Sequence, residues 1–404
     1  METKRITGKI GEAASILRSG GLVAVPTETV YGLAGNGLDG KAVAGIYEVK
    51  GRPARKPLSL MVPDETAMAL YCEDVPHQAY TLAKRFWPGP LTIVLKAKKL
   101  VPPIVLAGGS TVGLRCPDHP MTLELLRECG LPLAAPSANP SGAESPKTAE
   151  QVLGYFDGKI DAVIDGGPCG IGKESTLLDM SAAPYKILRQ GALPEETIRE
   201  ALAEELTVIG VTGGSGCGKT TALAELEKLG ALVLDCDAIY HELLENDDEL
   251  IRELDAAFPG TVRDGKVDRK ALGRIVFASR DELEKLNQIA WRAVIQAVES
   301  RLRDYAMRGG TLAAIDAVEL IASGMSARCK AVVGVLAERE DRIARIMARD
   351  AISKEAAEAR IDAQKPDSYY EANCTHLLHN HADIADFQAD CRDLFKEITE
   401  PWTI

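Results

Sequence analysis

Residues 207–221, TVIGVTGGSGCGKTT, decide the fold of the second half of the chain. An apolar strand at 207–211 runs directly into a loop with the spacing G-x-x-x-x-G-K-[ST], and a helical stretch follows. In this context the backbone N–H groups of the loop cradle phosphates. The pattern predicts an ATP or GTP site in which Lys219 reaches the β- and γ-phosphates and Thr220 binds Mg²⁺. The predicted nucleotide contacts are Gly214, Ser215, Gly216, Cys217, Gly218, Lys219, Thr220 and Thr221.

The rest of the second half alternates between strand-like and helical stretches. Apolar runs lie at 231–235, 311–315 and 331–336, and the main helical stretches are 281–308 and 338–364. This alternation predicts an α/β domain with a parallel sheet. The stretch 338–364 is charged on nearly every turn, which fits either a solvated helical hairpin or a helical lid over ATP. It carries Arg342, Arg345 and Arg349 at spacings that align them along one helix, with Arg360 and Gln364 beyond.

The first half shows the same alternation. Strand-like runs lie at 22–25, 91–95, 131–135 and 162–165, and a helix is predicted at 10–18, ended by Gly20 and Gly21. This pattern predicts a second α/β domain. The polar stretch LPEETIREALAEEL at 193–206 precedes the fresh strand of the second half. We therefore place the domains at 1–205 and 206–404, each large enough for its own core.

The composition of the chain limits which partners and which cellular compartment we expect for the protein. The 404 residues carry a formal net charge of −12, so stable nucleic-acid binding is not expected. There is no apolar run long enough to cross a membrane, and METKRITGKI lacks the apolar core of a signal peptide. Nine cysteines without a Cys-x-x-Cys motif fit reduced thiols, so we expect a cytoplasmic protein. His376, His379 and His381 crowd together, but no acidic cluster completes a metal site, and a short strand is expected there.

Six separated segments of the first half carry hydroxyls, small residues and isolated cations. They are PTETVYGLA (26–34), KGRPARKPL (50–58), TVGLRCP (111–117), APSANPSG (135–142), KESTLLD (173–179) and ILRQGA (187–192). Several follow predicted strands, where α/β folds place ligands. Lys50, Arg52, Arg55 and Lys56 share one loop stiffened by glycine and proline, which favours anion binding over a merely solvated basic loop.

These segments, in this order over about residues 8–200, resemble the threonylcarbamoyl-AMP synthase (YrdC-like) family. The resemblance implies a twisted mixed sheet with a concave cleft. It also implies a reaction in which L-threonine, bicarbonate and ATP give L-threonylcarbamoyl-AMP and pyrophosphate, for downstream tRNA threonylcarbamoyl-transfer machinery. Such a step depends more on positioning and on cations at the phosphates than on a general base.

The same resemblance assigns residues. Threonine would be bound by Thr27, Arg115, Ala135 and Ser175. ATP would be bound by Lys50, Arg52, Lys56, Thr111, Ser137, Asn139, Ser145 and Arg189, with Lys50 and Arg52 also catalytic. Met61 stands where some members carry a histidine of the threonine pocket. A double-stranded RNA-binding module without catalysis is the alternative, although the acidic balance disfavours it.

The second half, over about residues 207–396, resembles dephospho-CoA kinase. The resemblance is carried by IGVTGGSGCGKTT, by LDCDAIYHELL at 234–244, and by RIARIMARD and RIDAQ at 342–350 and 360–364. It implies that Asp237 orients or deprotonates the acceptor hydroxyl and that Arg349 or Arg345 meets transition-state charge, beside Lys219. Asp316 would hold Mg²⁺ together with Thr220.

Two departures from that family lie on the acceptor side. Trp291-Arg292 replaces a His-Pro pair, and Asp316-Ala-Val-Glu-Leu-Ile-Ala322 replaces Asp-x-Pro-Leu-Leu-x-Glu. Another small-molecule kinase, such as a nucleoside kinase, or an inactive scaffold therefore stays open for this half. The expected ligands are ATP with Mg²⁺, L-threonine, bicarbonate and dephospho-CoA, without a tightly bound organic cofactor.

Overall fold

The computed structural model describes residues 2–381 and 383–400, so residues 1, 382 and 401–404 of the predicted domain ranges lie outside it. The chain forms two compact units. The first runs to Glu205 and includes Met307–Gly309; the second holds Leu206–Ala306 and continues from Gly310. Within the described residues, no helix is both long and apolar enough to span a bilayer.

The first unit is built on a mixed sheet. Its strands are β1 (Lys4–Ile6), β2 (Val23–Val25), β3 (Gly32–Asn36), β4 (Ser59–Met61), β5 (Cys72–Glu73), β6 (Leu91–Ala97), β7 (Thr111–Arg115), β8 (Leu133–Ala134), β9 (Ala162–Ile164), β10 (Thr176–Asp179) and β11 (Lys186–Arg189). Ten of these eleven follow the order β1-β9-β2-β3-β8-β4-β7-β6-β10-β11, and β5 pairs with β6. The sheet contains both parallel pairs, such as β4 with β7, and antiparallel pairs, such as β6 with β7.

Eight helices accompany the described part of this sheet. They are α1 (Ile10–Arg18), α2 (Gly40–Lys50), α3 (Ala67–Tyr71), α4 (His77–Phe86), α5 (Pro103–Leu106), α6 (Pro120–Cys129), α7 (Ala149–Phe156) and α8 (Glu195–Glu204). Helix α1 buries Ile10, Ala13, Ala14 and Leu17, which its sequence spacing places on one face. That face packs in one core cluster with Leu125 and with strands β2 and β9.

The second unit contains a parallel sheet. Its strands are β12 (Thr207–Thr212), β13 (Leu232–Asp235), β14 (Val262–Arg263), β15 (Lys266–Val267), β16 (Leu312–Asp316), β17 (Ala331–Leu336) and β18 (His376–His379). Five of them pair in parallel in the order β13-β16-β12-β17-β18, and β14 and β15 form a small antiparallel ribbon. Strand β12 lies in the middle of the sheet, which places the glycine-rich loop at the centre of its carboxyl edge.

The helices of the second unit carry the side chains that surround this edge. They are α9 (Lys219–Lys228), α10 (Cys236–Asn246), α11 (Asp248–Ala257), α12 (Arg269–Val276), α13 (Arg280–Met307), α14 (Arg339–Asp350), α15 (Lys354–Asp362), α16 (Asp367–Asn373) and α17 (Ile384–Thr399), with a 3-10 turn at Met325–Arg328. Helix α17 packs Phe387, Cys391 and Phe395 into the same core as strands β12 and β17.

The predicted fold class is confirmed for both units, with one local correction. The run 131–135 forms only the two-residue strand β8, since Pro132 has no N–H to donate to a neighbouring strand. The helical stretch expected at 338–364 forms two helices, α14 and α15, because Ala351 adopts a left-handed φ of 52° and Ser353 caps α15. The strand expected at the histidine cluster is present as β18.

Candidate functional site

A cavity of about 160 Å³ lies in the first unit, and all six quoted segments contribute to its wall. We call it the arginine cavity, because it is lined by Arg52, Arg115 and Arg189 together with one carboxylate, Glu174. Its remaining predicted site residues are Ala135, Ser137 and Ser175. Three guanidinium groups around one small cavity make it a binding place for anions.

Arg115 is held rigidly at the end of β7. It is 8% exposed, and its guanidinium donates to the Glu28 carboxylate at 2.7 Å and to the Thr29 hydroxyl at 2.8 Å. The Thr27 hydroxyl lies 2.9 Å from that of Thr29 and donates to the Val30 carbonyl. Thr27 therefore shapes the turn that holds Arg115 and does not itself line the cavity.

Arg189 is fixed from the neighbouring strand. Its guanidinium donates to the Ser175 carbonyl at 2.8 Å, and the Ser175 hydroxyl lies 2.8 Å from that of Thr92. Burial lowers the pKa of Arg189, Glu174 opposes this, and the charges of Arg115 and Arg52 add to it. The three arginines are thus close enough to repel one another, and a bound anion would relieve that repulsion.

Lys50 lies beneath the 135–142 loop instead of in the wall of the cavity. It is 3% exposed, and its ammonium donates to the backbone carbonyls of Ser137 and Asn139. Helix α2 ends at this residue, and Gly51 turns the chain away with a left-handed φ of 57°. Burial, with a smaller contribution from Arg52, lowers the pKa of Lys50 to about 7. Lys50 therefore positions the loop that carries Ser137.

Four further residues predicted at ATP are not among those that line the arginine cavity. Lys56 is exposed on its loop. Thr111 begins β7, four residues before Arg115, or about 13 Å at the usual rise of a strand. The Asn139 amide donates to the carbonyls of Pro140 and Ala143, and Ser145 donates to Glu174 at 2.7 Å.

Sequence reasoning did not single out Glu28, Glu174, Thr92 or Gly32. Glu28 and Gly32 lie inside the quoted segment PTETVYGLA and Glu174 lies inside KESTLLD, so the signal was present there but unassigned. At Gly32 an added Cβ would lie 3.1 Å from the Met61 methyl group and 3.6 Å from the Pro136 carbonyl. This close approach explains the glycine and places Met61 at the floor of the cavity.

The second unit contains a larger cavity, of about 360 Å³, around the glycine-rich loop. We call it the loop cavity. Gly213, Gly216 and Gly218 have φ values of 140°, 78° and 109°, which side chains rarely adopt, and the loop needs glycine there. The Lys219 ammonium donates to the Gly213 carbonyl at 2.9 Å. Cys217 is buried and does not line the cavity, and Thr221 lies within α9.

Three carboxylates face this loop. Asp235, Asp237 and Asp316 line the cavity together with Lys219 and Thr220. Burial raises the pKa of the Asp316 carboxyl to about 6; Lys219 opposes this, and Asp235 and Asp237 reinforce it. Carboxylate and hydroxyl oxygens are the protein ligands that Mg²⁺ takes, so Asp316 and Thr220 fit a magnesium ion.

The segment 338–364, which we call the lid segment, is hydrogen-bonded to the loop. Arg342 is buried and donates to the Ser215 carbonyl at 3.1 Å and to Gln364 at 3.0 Å, and Gln364 accepts from the Ser215 N–H. Arg345 donates to the Gly216 carbonyl and to the side chain of Asn380. Arg349 lines the cavity from a largely exposed side chain paired with Asp350.

A third cavity, of about 220 Å³, adjoins the loop cavity. We call it the acceptor cavity. It shares Asp237 and Val318 with the loop cavity and is walled by α10, α13 and the chain after β16. Both altered motifs contribute to its wall, the first through Trp291 and the second through Ala317, Val318 and Glu319, whereas Ala322 is exposed and does not line it.

Comparison with known proteins identifies two families. The Sua5/YciO/YrdC family model, described as "Telomere recombination", matches residues 15–191. The CoaE model, described as "Dephospho-CoA kinase", matches residues 207–386.

Relatives of the first half are threonylcarbamoyl-AMP synthases. That of Pyrococcus abyssi is 47% identical over 196 residues, which are 48% of this chain and 58% of that protein. That of Halorhodospira halophila is 34% identical over 44% of this chain and 93% of that protein. The structure of P. abyssi Sua5 complexed with L-threonine aligns over 83% of this chain and 100% of that one, at 29% identity and a TM-score of 0.48. The chain thus spans little more than half the length of the P. abyssi relative.

Proposed function

The chain belongs to the Sua5/YciO/YrdC family through its first half and carries a CoaE domain in its second, and from this premise we propose that it catalyses two ATP-dependent reactions. The first makes L-threonylcarbamoyl-AMP and pyrophosphate from L-threonine, bicarbonate and ATP. The second transfers the γ-phosphoryl group of ATP to the 3′-hydroxyl of dephospho-CoA, giving coenzyme A and ADP. The product of the first reaction would supply tRNA threonylcarbamoyl-transfer machinery.

The first reaction is supported above all by the three arginines of the arginine cavity. The threonine amine would capture CO₂ from bicarbonate as a carbamate, whose oxygen attacks the α-phosphorus of ATP while pyrophosphate leaves. Carbamate, carboxylate and phosphates are all anions, and cations preorganised around them lower the barrier. Arg115, fixed by Glu28, would take the threonine carboxylate, and Arg52 and Arg189 would take the phosphates.

The hydroxyls of this cavity would orient the reactants. Ser175 and Ser137 line it, and Ala135 leaves room beside Gly32. Thr27 and Lys50 would act through the loops they hold. Four residues outside the arginine cavity remain proposed ATP contacts: Lys56, Thr111, Asn139 and Ser145. Contact with them requires that bound ATP extend beyond the cavity, or that the segments carrying them move toward it.

The second reaction is supported by the loop cavity, where Lys219 and three carboxylates face one another. Lys219 and the loop N–H groups would hold the phosphates, and Asp237 would accept the proton of the attacking hydroxyl. Arg345 and Arg349 would stabilise the negative charge that develops on the transferred phosphoryl group. Asp316 and Thr220 would hold Mg²⁺, which neutralises charge on the β- and γ-phosphates when bound.

One experiment tests both reactions. The full chain is incubated with Mg-ATP and either threonine plus bicarbonate or dephospho-CoA, and the products are identified by mass. We expect Arg189→Ala to suppress the first product and spare coenzyme A formation, and Lys219→Ala to do the reverse, because the two sites lie in separate units. Serine supporting pyrophosphate release as well as threonine would refute the threonine assignment. Preference for any nucleoside over dephospho-CoA would refute the acceptor assignment.

A further inference from the structure

We propose that Trp291 and Asn287 set the acceptor specificity of the second unit by binding an uncharged heteroaromatic ring in the acceptor cavity. The inference rests on the proposed phosphoryl transfer at the neighbouring glycine-rich loop. It names the group of the acceptor that this chain recognises and the two side chains that recognise it.

The acceptor cavity lies where a phosphoryl acceptor must lie. Asp237 and Val318 line both this cavity and the loop cavity, so the two are continuous at the proposed base. The Thr212 hydroxyl donates to the Val318 carbonyl at 3.2 Å, which ties this shared wall to the end of β12. A molecule in the acceptor cavity can therefore direct a hydroxyl toward Asp237 and the end of the phosphate chain.

Much of the wall of the acceptor cavity is aromatic and apolar. Trp291 and Tyr240 contribute rings, and Leu286, Ala290 and Val294 contribute aliphatic surface along α10 and α13. Trp291 is half-buried, so part of its indole is open to the cavity. A flat ring stacked on an exposed indole gains contact area with little loss of freedom, which is how aromatic side chains hold nucleic-acid bases.

Two polar groups in this wall have no protein partner. Among the described residues, neither the Asn287 side-chain amide nor the Trp291 indole N–H has a hydrogen bond to the protein. A half-buried amide beside apolar surface is best satisfied by a ligand that offers both a donor and an acceptor. The edge of a heteroaromatic ring, with adjacent ring nitrogens and exocyclic groups, offers that pair.

The charge of the cavity excludes an anionic ring substituent. Of the described residues that line it, the charged ones are Asp237 and Glu319, both acidic. The nearby cations of α12 and α13 are engaged elsewhere: Arg292 pairs with Glu253, Arg301 with Glu242, and Arg269 with His241. A phosphate inside the cavity would be repelled, so the phosphates of a larger acceptor must lie outside it. In dephospho-CoA the group that fits is the adenosine end, which also bears the 3′-hydroxyl.

Tryptophan fluorescence and kinetics of the full chain test the proposal. The probes are dephospho-CoA, adenosine, and 4′-phosphopantetheine, which has a phosphate but no ring. We expect the first two, but not the third, to quench the fluorescence of the native chain, and the quenching to disappear in Trp291→Phe. Trp291→Ala should raise the acceptor KM about 10- to 100-fold, as expected for loss of one stacked base, and leave the ATP KM unchanged. Asn287→Leu should raise the acceptor KM about tenfold.

Arg292→Ala is the matched control, because this neighbour pairs with Glu253 outside the cavity and should leave the acceptor KM unchanged. The proposal is overturned if phosphopantetheine quenches as well as adenosine, or if Trp291→Ala, with its ATP KM intact, keeps the native acceptor KM. Fluorescence quenching that depends on Trp291 supports the ring site whether or not an acceptor is phosphorylated. Absence of phosphorylation would refute only the proposed kinase function.

Discussion

Asp235 and Asp316 are paired in register across the parallel strands β13 and β16, each as the last residue of its strand. Asp316 is also paired with Val211 of β12, one residue before the strand ends. Because parallel strands end at a common edge, two carboxylates distant in sequence lie side by side at the glycine-rich loop. Their roles differ: Asp235 accepts the N–H groups of Asp237 and Ala238 and caps α10. Asp316 lines the loop cavity, and among the described residues its carboxylate has no hydrogen bond to the protein.

Asp316→Asn should lower phosphoryl transfer by about two orders of magnitude, because the amide cannot supply the negative charge that a metal–phosphate centre needs. Folding should be preserved, since an amide of the same shape removes a buried charge. Steady-state kinetics with the full chain and thermal unfolding check this. Asp247→Asn, which changes a cap of α11 into another good cap, is the control. Full turnover in Asp316→Asn would remove Asp316 from the mechanism.

Glu28→Gln should abolish pyrophosphate release and destabilise the first unit by about 3–5 kcal/mol, because it leaves the Arg115 guanidinium buried without its counter-charge. The exposed Glu73→Gln on β5 should change neither quantity. Denaturant unfolding and pyrophosphate assays measure both effects. An unchanged unfolding free energy in Glu28→Gln would mean that this pair is solvated in solution.

The stability of the first unit should depend on pH through Lys50. Its pKa is about 7 in the folded unit and 10.5 as the ordinary value, so the unfolded chain binds more protons between these limits. The stability contributed by this group is therefore present above pH 10.5 and is lost as the pH falls toward 7. The difference between the unfolding free energies of the native chain and of Lys50→Met should therefore increase as the pH rises from 7 to 10.5.

Lys41→Met, an exposed position of the same helix, serves as the comparison for this pH series. A difference between native and Lys50→Met that does not vary with pH would mean that the carbonyls of Ser137 and Asn139 keep the ammonium charged throughout.

Gln364→Leu should loosen the lid segment, since Ser215 and Arg342 both lose a partner. We expect faster proteolysis of α14 and α15 and a roughly tenfold higher KM for ATP. Arg339→Ala breaks an exposed pair with Asp362 in the same segment and should change neither, because such pairs contribute about 0–1 kcal/mol. Equal proteolysis of both variants would show that the contacts of Gln364 do not hold the lid segment.

Local patterns predicted part of the site from sequence. The spacing of glycines before Lys219 and Thr220 requires a phosphate-binding loop because the backbone conformation there is decided by neighbouring residues. The face of α1 and the helices of the lid segment followed from helical spacing for the same reason. The two families were also identifiable, since their segments recur in order along the chain.

Relations between distant segments could not be derived in this way. Lys50 and Arg52 are two residues apart and were assigned together, yet one is buried under a loop and the other lines the arginine cavity. The composition of KGRPARKPL does not distinguish them, because the turn at Gly51 and the loop packed above decide which cation is covered.

By itself, the sequence predicted a glycine-rich loop of the phosphate-binding type, most of the helices and strands, and two α/β units, because these depend on short-range conformational preference. The tertiary structure alone decided the partners of charged groups that are far apart in sequence. Glu28 and Arg115 are 87 residues apart and meet because strand order brings their segments to one place. The ring-lined acceptor cavity likewise exists only because α10, α13 and the chain after β16 pack together, and burial and pairing there depend on residues that are remote in sequence.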